Sequence, residues 1–169
     1  MVTRSGASLL LALLLAAASP GCSKAEEPAA GDGAAGEIPG DEVHLVRTFP
    51  PSTSGGLPAP ARTVVRDAAA WAALWAKANA NMAPVPKEPA VDFAKEMVAV
   101  AALGERRSAG YSVEIVGARR DAGTIRILVA EREPPAGAVV AQVITAPWHA
   151  VVLPRSDDPV LWEKYEAPR

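Results

Sequence analysis

The chain has 169 residues and a formal net charge of −2; half of its residues are hydrophobic, but only 5% are aromatic. This length predicts one domain, whose core must depend on Val, Ile, Leu and the four tryptophans. The small net charge and the lack of a basic stripe in the sequence argue against nucleic acid as a partner.

The N-terminus has the pattern of an export signal. Arg4 provides a positive start, and residues 9–18 are an unbroken apolar run about half as long as a membrane span. The run ends in residues 19–22 (SPGC), which resemble the lipobox of bacterial lipoproteins. That resemblance implies that Cys22 is lipidated and becomes the mature N-terminus.

Lipidation would make residues 1–21 the signal peptide and would anchor the protein at the cell envelope. Ser23 follows the cysteine where an aspartate would signal retention, which favours the outer membrane. The alternative is ordinary cleavage after Ala25, which would release a secreted or periplasmic protein. Residues 22–41 are rich in Ala, Gly, Pro and Glu without apolar periodicity, which predicts a disordered tether.

The folded domain is expected to comprise residues 42–169, and its first predicted elements are two strands and a helix. Residues 43–49 predict an edge strand, and residues 62–65 predict a second strand. Asp67 is expected to cap a helix that ends near residues 82–84. The apolar positions on one face of this helix are Trp71, Leu74, Trp75 and Ala78.

The second half of the domain predicts a succession of strands. Residues 96–103 are apolar without alternation, as is typical of a central strand covered on both faces. Residues 111–116 and 124–130 flank an Asp-Ala-Gly turn and predict an antiparallel hairpin. Further strands are expected at residues 139–145, at residues 149–153 and around Trp162.

One helix beside many short strands predicts an α+β domain with a mostly antiparallel sheet. A β-sandwich with one helix is the alternative arrangement. The two tryptophans of the helix are interpreted as core residues, although such a pair can also line a ligand groove.

The sequence offers little for catalysis or for binding a metal or cofactor. His44 and His149 have no Cys, acidic residue or second His at ligand spacing, so no metal site and no cofactor are expected. Ser108 and Ser112 lack the local signature of a hydrolase nucleophile. We therefore expect a protein that is not an enzyme.

Short motifs follow one another in order between residues 92 and 155. They are Asp92-Phe93, Glu96-Met97-Val98, Gly104-Glu105-Arg106, Gly110-Tyr111-Ser112-Val113-Glu114-Ile115, Pro147-Trp148-His149 and Val152-Leu153-Pro154-Arg155. This series resembles the C-terminal domain of the PrcB family, lipoproteins described as subunits of a surface protease complex. The resemblance implies an accessory subunit that binds a subtilisin-like exported protease or another envelope protein. The chain departs from the family at residues 107–109, Arg-Ser-Ala, where Pro-Thr-Gly is common.

The expected partner-binding residues lie in two loops, because aromatic residues at loop or strand ends often anchor interfaces. They are Arg106, Arg107, Gly110, Tyr111, Trp148 and His149. The alternative is that Tyr111 and Trp148 fill core positions. Two other functions stay open: a protease inhibitor, since the Gly-Tyr and Pro-Trp elements are similar to loops of chagasin-like inhibitors, and a sugar- or cell-wall-binding lipoprotein.

Overall fold

The computed structural model describes residues 40–166. The expected signal peptide, Cys22 and nearly all of the expected tether lie outside the described residues. Within residues 40–166 no helix is both long enough and apolar enough to cross a bilayer. The elements in this part of the chain are β1 (Asp41–Glu42), β2 (Arg47–Thr48), β3 (Pro60–Val65), α1 (Ala68–Ala78), β4 (Glu96–Leu103), β5 (Ser112–Asp121), β6 (Thr124–Arg132), β7 (Trp148–Pro154) and β8 (Val160–Lys164).

The strands form two four-stranded sheets, in the orders β1-β5-β6-β8 and β2-β7-β4-β3. Every pairing between these strands is antiparallel except that of β6 with β8, which is parallel. The sheets contribute to one buried cluster, whose members include Met97, Val113, Ile115, Ile125, Ile127, Val151 and Leu153. The predicted α+β class with mostly antiparallel strands is confirmed, and the two sheets pack as a sandwich.

The helix packs on the other face of the second sheet. Asp67 is the N-cap, and its side chain accepts a hydrogen bond from the Ala70 amide at 2.8 Å. Trp71 and Ala78 are buried in a second cluster with Val98 and other residues of β4 and β7. The helix ends at Ala78, a few residues before the expected end.

A glycine pair lets the chain before β3 pass close to this helix. A Cβ atom on Gly56 would lie 2.2 Å from the Lys77 carbonyl oxygen, and one on Gly55 would lie 2.5 Å from the Trp148 ring. The Gly56 amide instead donates to the Ala78 carbonyl at 2.9 Å. This bond satisfies one of the carbonyls that a helix leaves free at its C-terminus.

Strand β4 is the central strand that the apolar run predicts. Its side chains alternate between two clusters, with Met97 and Ala99 facing the space between the sheets and Val98 and Val100 facing the helix. Burial on both faces explains why the strand shows no polar alternation. The hairpin of β5 and β6 is also confirmed, and each strand continues beyond its expected last residue, β5 to Asp121 and β6 to Arg132.

Two strand predictions differ from the structure. In place of one edge strand over residues 43–49 there are two short edge pieces: β1, which begins before this range and pairs with β5 in one sheet, and β2, which pairs with β7 in the other. The prediction of a strand at residues 139–145 is wrong, since only a bridge between Thr145 and Arg106 forms there. The segment has strand propensity but only one irregular neighbour to pair with.

Candidate protein-interaction surface

Two loops meet at one end of the sandwich. Thr145 and Arg106 exchange both backbone hydrogen bonds, at 2.7 and 2.9 Å, and the Ala109 amide donates to the Ala141 carbonyl at 2.9 Å. The Thr145 hydroxyl donates to the Ser108 carbonyl at 3.1 Å. These bonds hold residues 106–111 against residues 138–145, and we call these two segments together the loop-pair surface.

The first loop contains four of the sequence-predicted binding residues. The Arg106 guanidinium carbon lies 5.6 Å from the centroid of the Tyr111 ring, within the range of a cation–π contact. Both side chains are half-buried, whereas Arg107 is exposed. Gly110 has a φ of +95°, a conformation that a residue with a side chain rarely adopts. The structure therefore brings these four residues together in one short turn.

The second loop exposes apolar side chains that the sequence reading did not assign to a site. Val139 is fully exposed, Ile144 is 76% exposed and Val143 is 51% exposed. Residues 134–146 contain no charged side chain, although exposed strand-prone segments are usually protected by charges. The absence of charge from this apolar run, which contains several β-branched residues, is the sequence feature that could have indicated a binding surface here.

The backbone of the second loop is also largely unpaired. Within the described residues, the amide groups of residues 139–144 donate to no protein acceptor. The carbonyl of Ala141 accepts from Ala109 on one side of the segment. The loop thus presents apolar side chains together with free hydrogen-bonding groups, both of which a partner protein can cover.

Trp148 and His149 do not fit the surface role that was expected of them. Trp148 is 5% exposed and His149 is completely buried, because both belong to β7, which lies between β2 and β4. The Trp148 ring packs edge-on against Trp75 of the helix at 5.8 Å. The alternative that placed Trp148 in the core therefore describes its position.

His149 joins three parts of the fold through its ring nitrogens. Its Nδ1 accepts a hydrogen bond from the Ile115 amide at 2.8 Å, and its Nε2 lies 2.7 Å from the Phe49 carbonyl oxygen. Since a carbonyl only accepts, Nε2 carries the proton and the ring is neutral. The pairing of β5 with β6 shifts register directly after Ile115. The His149 ring therefore accepts a hydrogen bond from a backbone amide that lies beside an irregularity in β5.

Burial lowers the pKa of His149 below its ordinary value of 6.5, although the bond to Phe49 and the charge of Glu114 oppose this effect. A second proton would also place an N–H group on Nδ1, facing the Ile115 amide donor. Both ring nitrogens are engaged with the backbone, so neither is free to accept a proton from Ser108 or Ser112. The geometry indicates a structural histidine.

Within residues 40–166 no group of three or more His, Cys, Asp or Glu side chains is placed to hold a metal ion. The tryptophans lie mainly inside: Trp71 is buried, and Trp75 and Trp162 are half-buried against the two clusters. A flat, exposed tryptophan for stacking on a sugar ring is therefore not found among the four.

Comparison with protein families adds one finding. Residues 97–154 match the family described as PrcB C-terminal. This match agrees with the resemblance to the PrcB family that the motifs between residues 92 and 155 show. The match runs from β4 to the end of β7 and includes both loops of the loop-pair surface. Comparisons with curated proteins and with solved structures gave no match.

Proposed function

We propose that the chain is a non-catalytic accessory subunit that binds an exported, subtilisin-like protease at the cell envelope. The PrcB family assignment supports a subunit associated with a protease complex. The loop-pair surface supports protein binding, and the exposure of Val139, Val143 and Ile144 beside Arg106 and Tyr111 is the observation that carries the proposal.

The energetics favour contact with a protein over contact with a small molecule. Full burial of a Val or Ile side chain contributes about 1.5 to 3 kcal/mol relative to exposure. Three such side chains on one loop offer several kcal/mol, which has to offset the cost of association. A loop with exposed apolar side chains presents this area to a partner surface, while small-molecule sites are concave.

Charge and aromatic groups at the rim suit the same role. Arg107 is exposed next to the half-buried Arg106 and Tyr111, and Arg and Tyr are enriched among the residues that dominate binding energy. We propose that these residues form the polar border around the apolar loop. A lipid on Cys22 would keep this surface close to other envelope proteins.

A photo-crosslinking experiment tests the proposal. A photoreactive residue replaces Ile144 in the full-length chain expressed in its native host, and the crosslinked partner is identified by mass spectrometry. The matched control carries the same residue at Leu161, an exposed apolar position on β8. We expect an exported subtilisin-like protease at Ile144 and no such product at Leu161.

Two other results would contradict the proposal. Hydrolysis of peptide substrates by the purified chain would show an enzyme. Inhibition of papain-like proteases, without a stable complex with an exported protease, would favour the chagasin-like alternative.

A further inference from the structure

A proline-rich strap, residues 84–90, crosses an aromatic face on the helix side of the domain. The face consists of Phe49, Trp71 and Trp75, with ring centroids 5.3 Å apart for the two tryptophans and 6.0 Å apart for Phe49 and each tryptophan. The strap forms neither helix nor strand between residues 85 and 90. The strap is therefore held on the aromatic face by contacts of its side chains and carbonyl groups, and not by the hydrogen bonds of a helix or a sheet.

Two hydrogen bonds fix the strap. The indole nitrogen of Trp75 donates to the Pro86 carbonyl at 2.8 Å, and that of Trp71 donates to the Pro89 carbonyl at 3.1 Å. The tryptophans are four residues apart on the helix, and the prolines are three residues apart on the strap. Each indole thus meets one carbonyl.

The exposure of the strap follows the same three-residue repeat. Pro86 and Pro89 are half-buried, whereas Lys87 and Glu88 between them are exposed. A polyproline II helix has three residues per turn and no internal hydrogen bonds, so equivalent residues share one face and their carbonyls are free to accept. The strap therefore has the Pro-x-x-Pro spacing and the contacts of such a segment.

Proteins that recognise proline-rich segments use the same chemistry. Aromatic side chains line a groove, and the ligand is a Pro-x-x-Pro segment in the polyproline II conformation. Here the receptor and the ligand are parts of one chain. Val85 of the strap and Met82 just before it are about half exposed, so the strap lies on the surface of the domain and is not enclosed by it.

We infer that the face formed by Phe49, Trp71 and Trp75 is a binding site for proline-rich segments, filled in the free chain by its own residues 86–89. A Pro-x-x-Pro segment of a partner protein takes the same place when it displaces the strap. The inference stands on residues outside the loop-pair surface and does not depend on the proposed function.

The covalent link of the strap determines how strongly a partner must compete. A tethered segment acts at an effective concentration in the mM range. A separate peptide with the same intrinsic affinity as the strap therefore occupies the aromatic face only when its own concentration approaches the mM range. It also does so when substitutions weaken the binding of the strap. The strap acts as a built-in competitor that selects against weak ligands.

The test uses the full-length chain with Pro86→Ala and Pro89→Ala, and a synthetic peptide with the sequence of residues 83–90 (APVPKEPA). Nuclear magnetic resonance follows the four indole N–H signals during titration. We expect the signals of Trp71 and Trp75 to shift while that of Trp162 stays in place. A control peptide with alanine at both positions equivalent to Pro86 and Pro89 should bind at least tenfold more weakly.

A second titration covers the case in which the double variant does not fold. The unmodified chain is titrated to mM concentrations of the same peptide, and the same two indole signals should shift. The variant Trp75→Phe retains an aromatic ring but lacks the donor, and it should weaken binding at least threefold. The inference is overturned if folded chain shows no shift at Trp71 and Trp75, or if both peptides bind equally.

Discussion

Two neighbouring segments, residues 139–144 and β7, have opposite environments. Both are largely apolar and contain at least two valines, and both predict strands. β7 lies between β2 and β4 and is buried over six of its seven residues, while residues 139–144 touch one irregular neighbour and are mostly exposed. Strand propensity is thus realised where partner strands exist on both sides.

The comparison indicates that the exposed segment lacks a partner strand among residues 40–166. β7 obtains its hydrogen bonds within the domain, whereas the amides of residues 139–144 have no protein acceptor among the described residues. Substitutions in the two segments should therefore separate folding from binding.

The largest effect on folding is expected inside β7. Trp148→Ala removes a buried ring that packs on Trp75, and it should lower the free energy of unfolding by about 3 to 5 kcal/mol. Urea denaturation monitored by circular dichroism measures this change. A loss below about 1 kcal/mol would mean that Trp148 is not a core residue.

A smaller loss is expected for His149→Leu. The substitution leaves the Ile115 amide and the Phe49 carbonyl without their partner, and an unsatisfied buried group costs about 1 to 3 kcal/mol. The control His44→Leu changes an exposed histidine and should leave the unfolding midpoint nearly unchanged. Equal effects of the two substitutions would contradict the structural role of His149.

The stability of the unmodified chain should fall as the pH is lowered below about 6.5. The folded-state pKa of His149 is lower than the unfolded value, so the unfolded chain binds a proton that the native chain excludes. The contribution of neutral His149 to the free energy of unfolding is complete above the unfolded-state pKa and is lost as the pH falls through the folded-state pKa. Urea midpoints between pH 7 and pH 5 should fall less for His149→Gln than for His44→Gln.

Ile144→Asp should change stability by no more than about 0.5 kcal/mol, because the side chain is exposed. The same variant should weaken capture of the envelope partner at least tenfold, which corresponds to about 1.4 kcal/mol. Leu161→Asp changes an exposed apolar position on β8, away from the loop-pair surface, and this variant should bind the partner like the parent chain. Loss of binding in both variants would point to a general effect of charge.

Cys22→Ala should leave the free energy of unfolding unchanged and should move the protein from the membrane fraction to the soluble fraction. Mass spectrometry of the mature N-terminus distinguishes acylated Cys22 from cleavage after Ala25. A soluble parent chain would contradict the lipid anchor.

The sequence predicted the elements whose residue pattern follows from local structure, such as a helix cap, or from burial on both faces of a strand. Asp67 and the apolar stripe indicated the helix, and the uninterrupted apolar run indicated β4. The division of residues 41–48 between two sheets depends on distant pairings with β5 and β7, which no local pattern encodes. The same reason applies to residues 139–144, where the missing neighbour determines the structure.

The positions of the expected binding residues were predicted in part. The motif pattern placed Arg106, Arg107, Gly110 and Tyr111 in one turn, as the structure does, and their binding role stays a prediction. Trp148 and His149 were assigned to a surface because aromatic residues at loop or strand ends often anchor interfaces. Their burial follows from pairing with β4, since Ala101 lies opposite His149.

Hydrogen exchange in the free chain and in its complex with the exported protease tests the central claim most directly. The account predicts that the amides of residues 139–144 exchange rapidly in the free chain and at least tenfold more slowly in the complex, while those of Val151 and Val152 are protected in both. Rapid exchange of residues 139–144 in a stable complex would contradict it.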